Sequence, residues 1–476
     1  MGPDRGGKGL IHEQLGGPIT QSNSGSQHPS QASADPTDGP PSNPSAATDP
    51  QAPDSTAQDS GRAATSRSRR PGSPLNFRHT FSSLSNRSFR MLWFAMLLLM
   101  GAMQMQMIAR GYLTYDLTES PALLGIVSAG FALPMLMLAL FGGAFADRLE
   151  RRRIVQLGQA GAGLIAIFVA VSITTDTVTW YHLLAASMMQ GAVFSFLMPA
   201  RQAMIPQLVG QGQLTNAMAL DAMAMSATTL LAPAVAGFLY NVIQPDGVYY
   251  LVAAMCVGAI ILTGMVPKLP ESTGTGRAGV LNDIRAGLSY IRGNSLVMAL
   301  LVIGLTSTVL AMPFRFLMPI FIVDIYERGP EAMGLMTSMM GLGTLGGSFF
   351  IAGLGSWQRG KLLIFSSFVS GIALLLVALL PFYLVALWLM VLLGLGDAGR
   401  RTLNQSLLME VSDDQYRARV MSLFMINFAL IPLGVLPAGL AAEFLGGQMS
   451  IGILAGLLIA LTAIILVTQR GLRNLR

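Results

Sequence analysis

The sequence predicts an all-α polytopic membrane protein, with twelve transmembrane helices arranged as two pseudo-symmetric six-helix bundles. Three observations lead to this prediction. Hydrophobic residues make up 52% of the chain and charged residues only 11%, with a mean hydropathy of +0.55, which soluble proteins do not show. Apolar stretches long enough to cross a bilayer recur after residue 91. The second group of these stretches repeats the pattern of the first.

We expect twelve membrane spans in two groups of six, each with the roughly 20 residues that a bilayer crossing requires. A polar break near residues 267–293 separates the groups. The spans lie near residues 91–114, 121–146, 154–173, 178–200, 216–243 and 247–266 in the first group, and near residues 296–324, 331–355, 362–379, 381–400, 418–443 and 449–469 in the second.

The domain organisation follows from these spans and from two shifts in composition. The start of the chain is rich in Gly, Pro, Ser, Thr and Gln, which predicts a disordered tail. In the central break, residues 280–291 place apolar side chains at helical spacing, which predicts an amphipathic helix on the membrane surface. The predicted segments are a cytoplasmic tail (1–85), an N-terminal bundle (86–266), a linker (267–293), a C-terminal bundle (294–470) and a cytoplasmic C-terminus (471–476).

The distribution of basic residues predicts the orientation in the membrane. From Arg148 onward, eighteen lysines and arginines lie in loops on the side of the tail or at the C-terminal end, whereas Arg328 alone lies in the opposite loops. Loops rich in Lys and Arg stay in the cytoplasm, so both chain ends are expected on the cytoplasmic side of the cell (inner) membrane. We therefore assign the net charge of +6 to topology and to contacts with membrane lipids, not to nucleic acid.

An internal repeat supports two related bundles. Pro121 and Pro330 are 209 residues apart, as are Gly125 and Gly334. A duplicated six-helix unit explains this constant offset. Further along, the sequence suggests an offset of 199, which pairs Arg201 with Arg400.

A short basic segment joins the second and third spans. It contains Gly143, Asp147, Arg148, Arg151 and Arg152. Arginines at this density cannot enter hydrocarbon, so the segment must face the cytoplasm. There the Asp147 carboxylate could accept hydrogen bonds from the N-terminus of a neighbouring helix and hold one conformation, so we predict that these five residues form a cytoplasmic gate. The alternative is that the arginines only set the topology.

The spacing of this segment resembles the loop between the second and third helices of major facilitator superfamily transporters. Glu150 stands where that family usually has glycine. Residues 198–209 and 417–423 resemble later loops of a branch that includes macrolide-efflux and enterobactin-exporter-like proteins, of the drug:proton antiporter type. The resemblance covers residues 87–470 and implies an alternating-access transporter whose first and seventh helices line a central cavity.

The candidates for the substrate cavity are four polar side chains on those two helices and one methionine beside them. The polar residues are Gln106, Arg110, Thr114 and Arg315, and the methionine is Met103. Buried arginines are costly in lipid, so Arg110 and Arg315 should face the cavity or a carboxylate. The nearest carboxylates along the same helices are those of Asp116 and Asp324. A gate on the outer side is the alternative role for the two arginines.

Proton coupling requires a carboxylate that is alternately hydrated and buried. Asp221 and Asp397 are the candidates within the spans, and both could instead pair with Arg201, Arg400 or Arg401. Glu443 lies near the outer interface and is expected to be hydrated. The sequence alone therefore does not identify the coupling ion.

Two pseudo-symmetric halves with polar residues inside both predict a transporter. The resemblance implies that it is a proton-coupled exporter of amphipathic small molecules, and we expect it to work as a monomer. We expect no cofactor, metal site or catalytic group: the chain has one cysteine, Cys256, and no nucleotide-binding motif. One alternative is a transporter of the same fold that flips or imports a lipid-like or siderophore-like solute. Another is a membrane receptor or scaffold that transports nothing.

Overall fold

A computed structural model shows that the protein is a bundle of long apolar helices. The structure describes residues 82–138, 150–210, 213–268, 289–354 and 358–473. Within those ranges all regular structure is helical, which confirms the all-α prediction. Gly143, Asp147 and Arg148 of the predicted gate lie outside the described residues, as do most of the predicted amphipathic helix and of the predicted tail.

Six membrane-length helices form the N-terminal half. The first follows the N-cap Asn86, whose side chain accepts hydrogen bonds from the backbone N–H groups of Ser88 and Phe89. Gln244, with φ 61° and ψ 168°, interrupts a long helix just before Pro245, because a proline disfavours helical geometry in the residue before it. The helices are α1 (Arg87–Thr118), α2 (Pro121–Leu138), α3 (Arg151–Thr174), α4 (Trp180–Leu208), α5 (214–243) and α6 (245–264).

The C-terminal half repeats this arrangement. The seventh helix of the chain ends in a π-helical turn, Phe321–Ile325. The eleventh consists of two parts, Asp414–Ala429 and Pro432–Leu445. Counting those two parts as one helix, the described residues are consistent with twelve spans. The helices are α7 (Ser295–Ile325), α8 (Pro330–Leu354), α9 (Arg359–Leu379), α10 (Tyr383–Val411), α11 (414–445) and α12 (Gly447–Thr468), followed by the short α13 (Arg470–Arg473).

The helix ends lie on two sides of the bundle. We call the side that holds Arg87 and Thr468 the tail side, and the side that holds the α1–α2 and α7–α8 turns the far side. On the far side both turns pass through a left-handed residue, Glu119 with φ 49° and Glu327 with φ 50°, before a proline starts the next helix. This shared geometry reflects the repeat.

The structure corrects the second offset of the repeat. Helices α4 and α10 have equal lengths, and their bounds differ by 203. A Cβ on Gly191 of α4 would overlap the carbonyl oxygen of Phe131, and a Cβ on Gly394 of α10 would overlap that of Met340. These glycines are again 203 apart, while Phe131 and Met340 are 209 apart. The pairing of Arg201 with Arg400, which rested on chemical identity alone, is therefore wrong.

The apolar core is arranged differently at the two sides. One large cluster contains residues of both halves and includes Ile108, Tyr249, Leu317 and Met336. A second cluster, at the tail side, contains residues of the N-terminal half only, and a third contains residues of the C-terminal half only. The halves therefore share a core from the middle to the far side and have separate cores at the tail side.

Candidate substrate-binding site

Arg110 of α1 lies at the centre of a buried polar chain. Its Nη1 donates to Oε1 of Gln190 on α4 at 2.7 Å, and Nε2 of Gln190 donates to Oε1 of Gln106 at 2.6 Å. The exposed fractions of Arg110, Gln190 and Gln106 are 8%, 4% and 2%. Two neutral amides satisfy hydrogen bonds but leave the charge of the guanidinium unbalanced.

The other two candidates on α1 have local roles. The hydroxyl of Thr114 donates to the carbonyl oxygen of Arg110 at 2.7 Å, within its own helix, and the residue is fully buried. Met103 is partly buried and packs against the shared core. Of the candidates on α1, therefore, Gln106 and Arg110 make the polar contacts with another helix.

Arg315 of α7 joins the polar groups of the two halves. One cavity between the halves is lined by Arg110, Arg315 and Met333. A second cavity, within the C-terminal half, is lined by Arg315, Asp397 and Arg400. The structure thus brings Arg110 and Arg315 to one cavity, as their positions on the first and seventh helices suggested, and Arg315 extends this path towards α10.

The carboxylates expected near these arginines are placed elsewhere. Asp324 accepts a hydrogen bond from the hydroxyl of Tyr115 at 2.5 Å, and Asp116 is exposed. Among the described residues no salt bridge includes Arg110 or Arg315. The reason is geometric, because Asp324 follows Arg315 by nine residues, or about 13 Å along a helix.

Both candidate proton carriers lie in ion pairs, the alternative that the sequence had offered. Asp221 of α5 accepts from both terminal nitrogens of Arg201, at 2.6 and 3.3 Å. Asp397 accepts from Arg400, and from Arg401 at 2.8 Å. The Asp221 pair is one carboxylate with one guanidinium, whereas Asp397 faces two guanidinium groups.

A further cavity, of about 40 Å³, lies between α7, α10 and α11. Its walls include the ion pair of Asp397 and Arg400 and three neutral polar side chains, Ser307, Asn404 and Asn427. These three residues and Gln190 were not among the candidates predicted from the sequence. The signal was available, because each is an uncharged polar side chain within an apolar span.

The described arginines of the predicted gate fasten the tail side of the N-terminal half. Arg151 donates to the carbonyl oxygen of Ala203 at 3.2 Å, and Arg152 to that of Val266, just past the end of α6, at 2.6 Å. Cations are favoured at helix C-termini. Glu150 has an ordinary φ of −55° and pairs with Arg153 at 2.9 Å, so this position does not require glycine.

Contacts between the halves close the far side. Glu443 of α11 accepts from the hydroxyl of Ser120 at 2.7 Å and from the backbone N–H of Ala122 at 3.0 Å, at the N-terminus of α2. The amide of Asn241 on α5 donates to Glu331 on α8 at 2.5 Å. Glu443 is exposed, and it also joins the two halves, which the sequence did not indicate.

Small residues allow α5 and α8 to touch along the same side. A Cβ on Gly237 would overlap the carbonyl oxygen of Pro330, and a Cβ on Gly334 would overlap that of Pro233. Close approach of this kind needs residues without side chains. The contact continues to mid-helix, where a Cβ on Gly341 would lie 3.1 Å from the Cα of Leu230.

Comparison with known proteins places this arrangement in a family. The model of the Major Facilitator Superfamily matches residues 92–435. Macrolide efflux protein A of Streptococcus pyogenes is 28% identical over 376 residues, which cover 76% of this chain and 91% of that protein. The Staphyloferrin A transporter of Staphylococcus aureus is 22% identical over 357 residues, covering 74% of this chain and 88% of its own.

Solved structures agree on the fold. The structure of a point mutant of the nucleoside transporter NupG superimposes with a TM-score of 0.68 at 13% identity, covering 80% of this chain and 99% of that chain. At such low identity the likeness concerns the fold alone, and substrates must be argued from the site.

Proposed function

Because the chain belongs to the Major Facilitator Superfamily and is therefore a multi-pass membrane transporter and not an enzyme, we propose that it exports amphipathic small molecules. The proposed mechanism is alternating access driven by the proton gradient. Two of its relatives carry names that refer to macrolide efflux and to staphyloferrin A. Both names support small-molecule transport, and the first supports the outward direction.

The arrangement of the core carries the proposal of alternating access. The halves share a core from the middle to the far side and have separate cores at the tail side. Packed interfaces tend to be bistable, so two bundles joined at one side only can rock about the central site. The loop arginines support a cytoplasmic tail side in the inner membrane, which makes this conformation open to the cytoplasm.

We assign roles to the residues along the polar path. Arg110 and Arg315 would face the substrate between the halves, where the shared cavity lies. Asp397 is the better candidate for the proton carrier, because it lines the path beside Arg315, whereas Asp221 lines neither of the two cavities that Arg315 lines and pairs with Arg201. Asp147 would hold the gate on the tail side, with Arg148, Arg151 and Arg152.

The experiment is a transport assay on the full chain in proteoliposomes. Fluorescent lipophilic cations, macrolides and siderophores are offered with and without an imposed proton gradient. We expect gradient-dependent movement of at least one compound, lost in Asp147→Asn and retained in Asp176→Asn, a control substitution on the far side. Transport at the same rate with and without the gradient would refute proton coupling. Full transport activity of Asp147→Asn would refute the proposed gate.

A further inference from the structure

We propose that the cavity between α7, α10 and α11 binds an anionic group of the transported molecule, a carboxylate or a similar oxyanion. The proposal rests on the proposed transport function and names the substrate chemistry that the site selects. The site consists of Ser307 on α7, Arg400 and Asn404 on α10, and Asn427 on α11, with Gly304 at its base. We call it the anion pocket.

The anion pocket contains hydrogen-bond donors without partners in the described part of the chain. Nη1 of Arg400, Nδ2 of Asn427 and Oγ of Ser307 are buried, and none of them has a partner among the described residues. The exposed fractions of these residues are 6%, 8% and 4%. Leaving a buried donor unsatisfied costs about 1–3 kcal/mol, so three around one cavity favour a ligand that accepts all of their hydrogen bonds.

An oxyanion fits this set of donors. A carboxylate has two oxygens that can accept from a guanidinium, an amide and a hydroxyl at once. Oδ1 of Asn404, an acceptor on the same wall, also has no partner among the residues that the structure describes. A hydroxyl group of the ligand, or a water molecule beside it, can donate to this oxygen.

The charges around the anion pocket are not balanced. Among the residues lining the two C-terminal cavities, Asp397 is the single carboxylate beside the guanidinium groups of Arg315 and Arg400, which leaves a formal excess of one positive charge without counting the half-exposed Arg401. Coulomb interactions are strong where water is scarce, so an anion is attracted and a cation repelled.

The N-terminal half provides a contrast. By the offset of 203, the residue of α4 that corresponds to Arg400 is Leu197, and the one that corresponds to Asp397 is Phe194. The ion pair in that half, Arg201 with Asp221, has balanced charge. The anion pocket is therefore a feature of one half and not a consequence of the repeat.

The absence of a side chain at Gly304 leaves space for the anion pocket. A Cβ on Gly304 would lie 2.8 Å from Nδ2 of Asn427 and 3.0 Å from Nδ2 of Asn404. Both distances are too short for carbon and nitrogen, so any side chain there would displace the two amides. An alanine at residue 304 would fill the pocket and leave every charge in place.

The test compares two fluorescent probes that differ only in the anionic group: pyrenebutyrate and the neutral alcohol pyrenebutanol. Binding to the purified full chain in nanodiscs is measured by fluorescence titration. We expect the wild-type protein to bind the carboxylate at least about tenfold more tightly than the alcohol, which corresponds to about one charge-assisted hydrogen bond. In Arg400→Gln the two probes should bind equally, since Asp397 keeps its contact with Arg401.

A second pair of variants keeps the test valid if Arg400→Gln fails to fold. Gly304→Ala should lower the affinity for the carboxylate about tenfold. Gly456→Ala, on α12, where no described atom lies within 4 Å of an added Cβ, should leave it unchanged. Equal binding of both probes by the wild-type protein would overturn the proposal. Retained preference in a folded Arg400→Gln would do the same.

Transport of the same probes in proteoliposomes separates the two proposals. Selective binding without transport of any compound would support the anion pocket and contradict the exporter function. Gradient-driven transport of the acid and the alcohol at equal rates, with equal affinities, would support the exporter function and refute the pocket.

Discussion

The far side and the tail side of the interface between the two halves are built differently. On the far side the halves touch through backbone and short polar side chains: Gly334 packs on the carbonyl of Pro233, and Glu443 caps α2. On the tail side, no hydrogen bond among the described residues joins the halves, and each half has its own apolar core. Arg201 and Arg400 there pair with carboxylates of their own half.

This difference indicates which parts of the protein move as units. Within each half the ion pairs and apolar clusters bind the tail-side ends of the helices together. Between the halves the far-side contacts consist of few hydrogen bonds and close van der Waals packing, which can separate without exposing buried charge. The far side is therefore the part of the interface that we expect to open during transport.

The largest effect on the opening of the far side is expected from a bulky residue in the far-side contact. Gly334→Leu would place side-chain atoms on the carbonyl of Pro233, and overpacking of this kind costs about 1–3 kcal/mol. A cost of about 2 kcal/mol favours the conformation open at the far side by about thirtyfold. The measurement is labelling of Met333→Cys by a membrane-impermeant maleimide added from the far side.

The matched control for that variant lies on the same helix. Gly346→Leu adds the same side chain nearer the tail side, where no described atom lies within 4 Å of an added Cβ. It should leave the labelling rate and the transport rate close to those of the wild-type protein. Equal labelling of Gly334→Leu and wild type would show that the far-side contact does not hold the closed conformation.

Breaking the ion pair of the N-terminal half is expected to lower stability and not to open the far side. Asp221→Asn leaves Arg201 buried without a carboxylate, a change that typically costs about 3–5 kcal/mol. The exposed pair of Arg359 and Glu410 is the control, since Glu410→Gln should cost less than about 1 kcal/mol. Thermal unfolding in detergent measures both. A similar melting temperature for the two variants would contradict the idea that Asp221 and Arg201 fasten the tail side.

The smallest effect is expected at Glu443. Glu443→Gln keeps an acceptor for Ser120 but removes the negative charge at the N-terminus of α2, a contribution of about 0.3–1 kcal/mol at an exposed position. Far-side labelling of Met333→Cys should rise about twofold. A rate as high as in Gly334→Leu would mean that the charge, and not the helix packing, closes the far side.

The spans were predictable from sequence because bilayer-length apolar windows exclude other folds. The ion pair within α10 was predictable as well, since Asp397 precedes Arg400 and Arg401 by three and four residues, which are neighbours on a helix. The partner of Arg110 was not, because Gln190 is eighty residues away and an uncharged amide gives no signal of pairing. We expected the guanidinium to pair with a carboxylate, and the nearest carboxylate along its own helix is that of Asp116.

The register of the repeat shows a second limit of sequence. Arg201 and Arg400 are the same residue type in similar positions, which suggested an offset of 199. Close helix packing indicates a different offset: Gly191 and Gly394 occupy the same tight backbone contact and are 203 residues apart. A position where two helix backbones touch requires glycine, whereas an arginine can pair with a carboxylate from several positions. The touching backbones are visible only once the helices are assembled.

Distances at the two sides of the protein during transport test the account most directly. Spin labels are placed at Tyr181 and Leu384 on the far side, and at Gln207 and Met409 on the tail side, all exposed positions in a Cys256→Ala background. Pulsed electron resonance measures each pair in proteoliposomes with and without a proton gradient and a transported compound. The account predicts that the far-side distance lengthens while the tail-side distance shortens. Transport with both distances unchanged would contradict it.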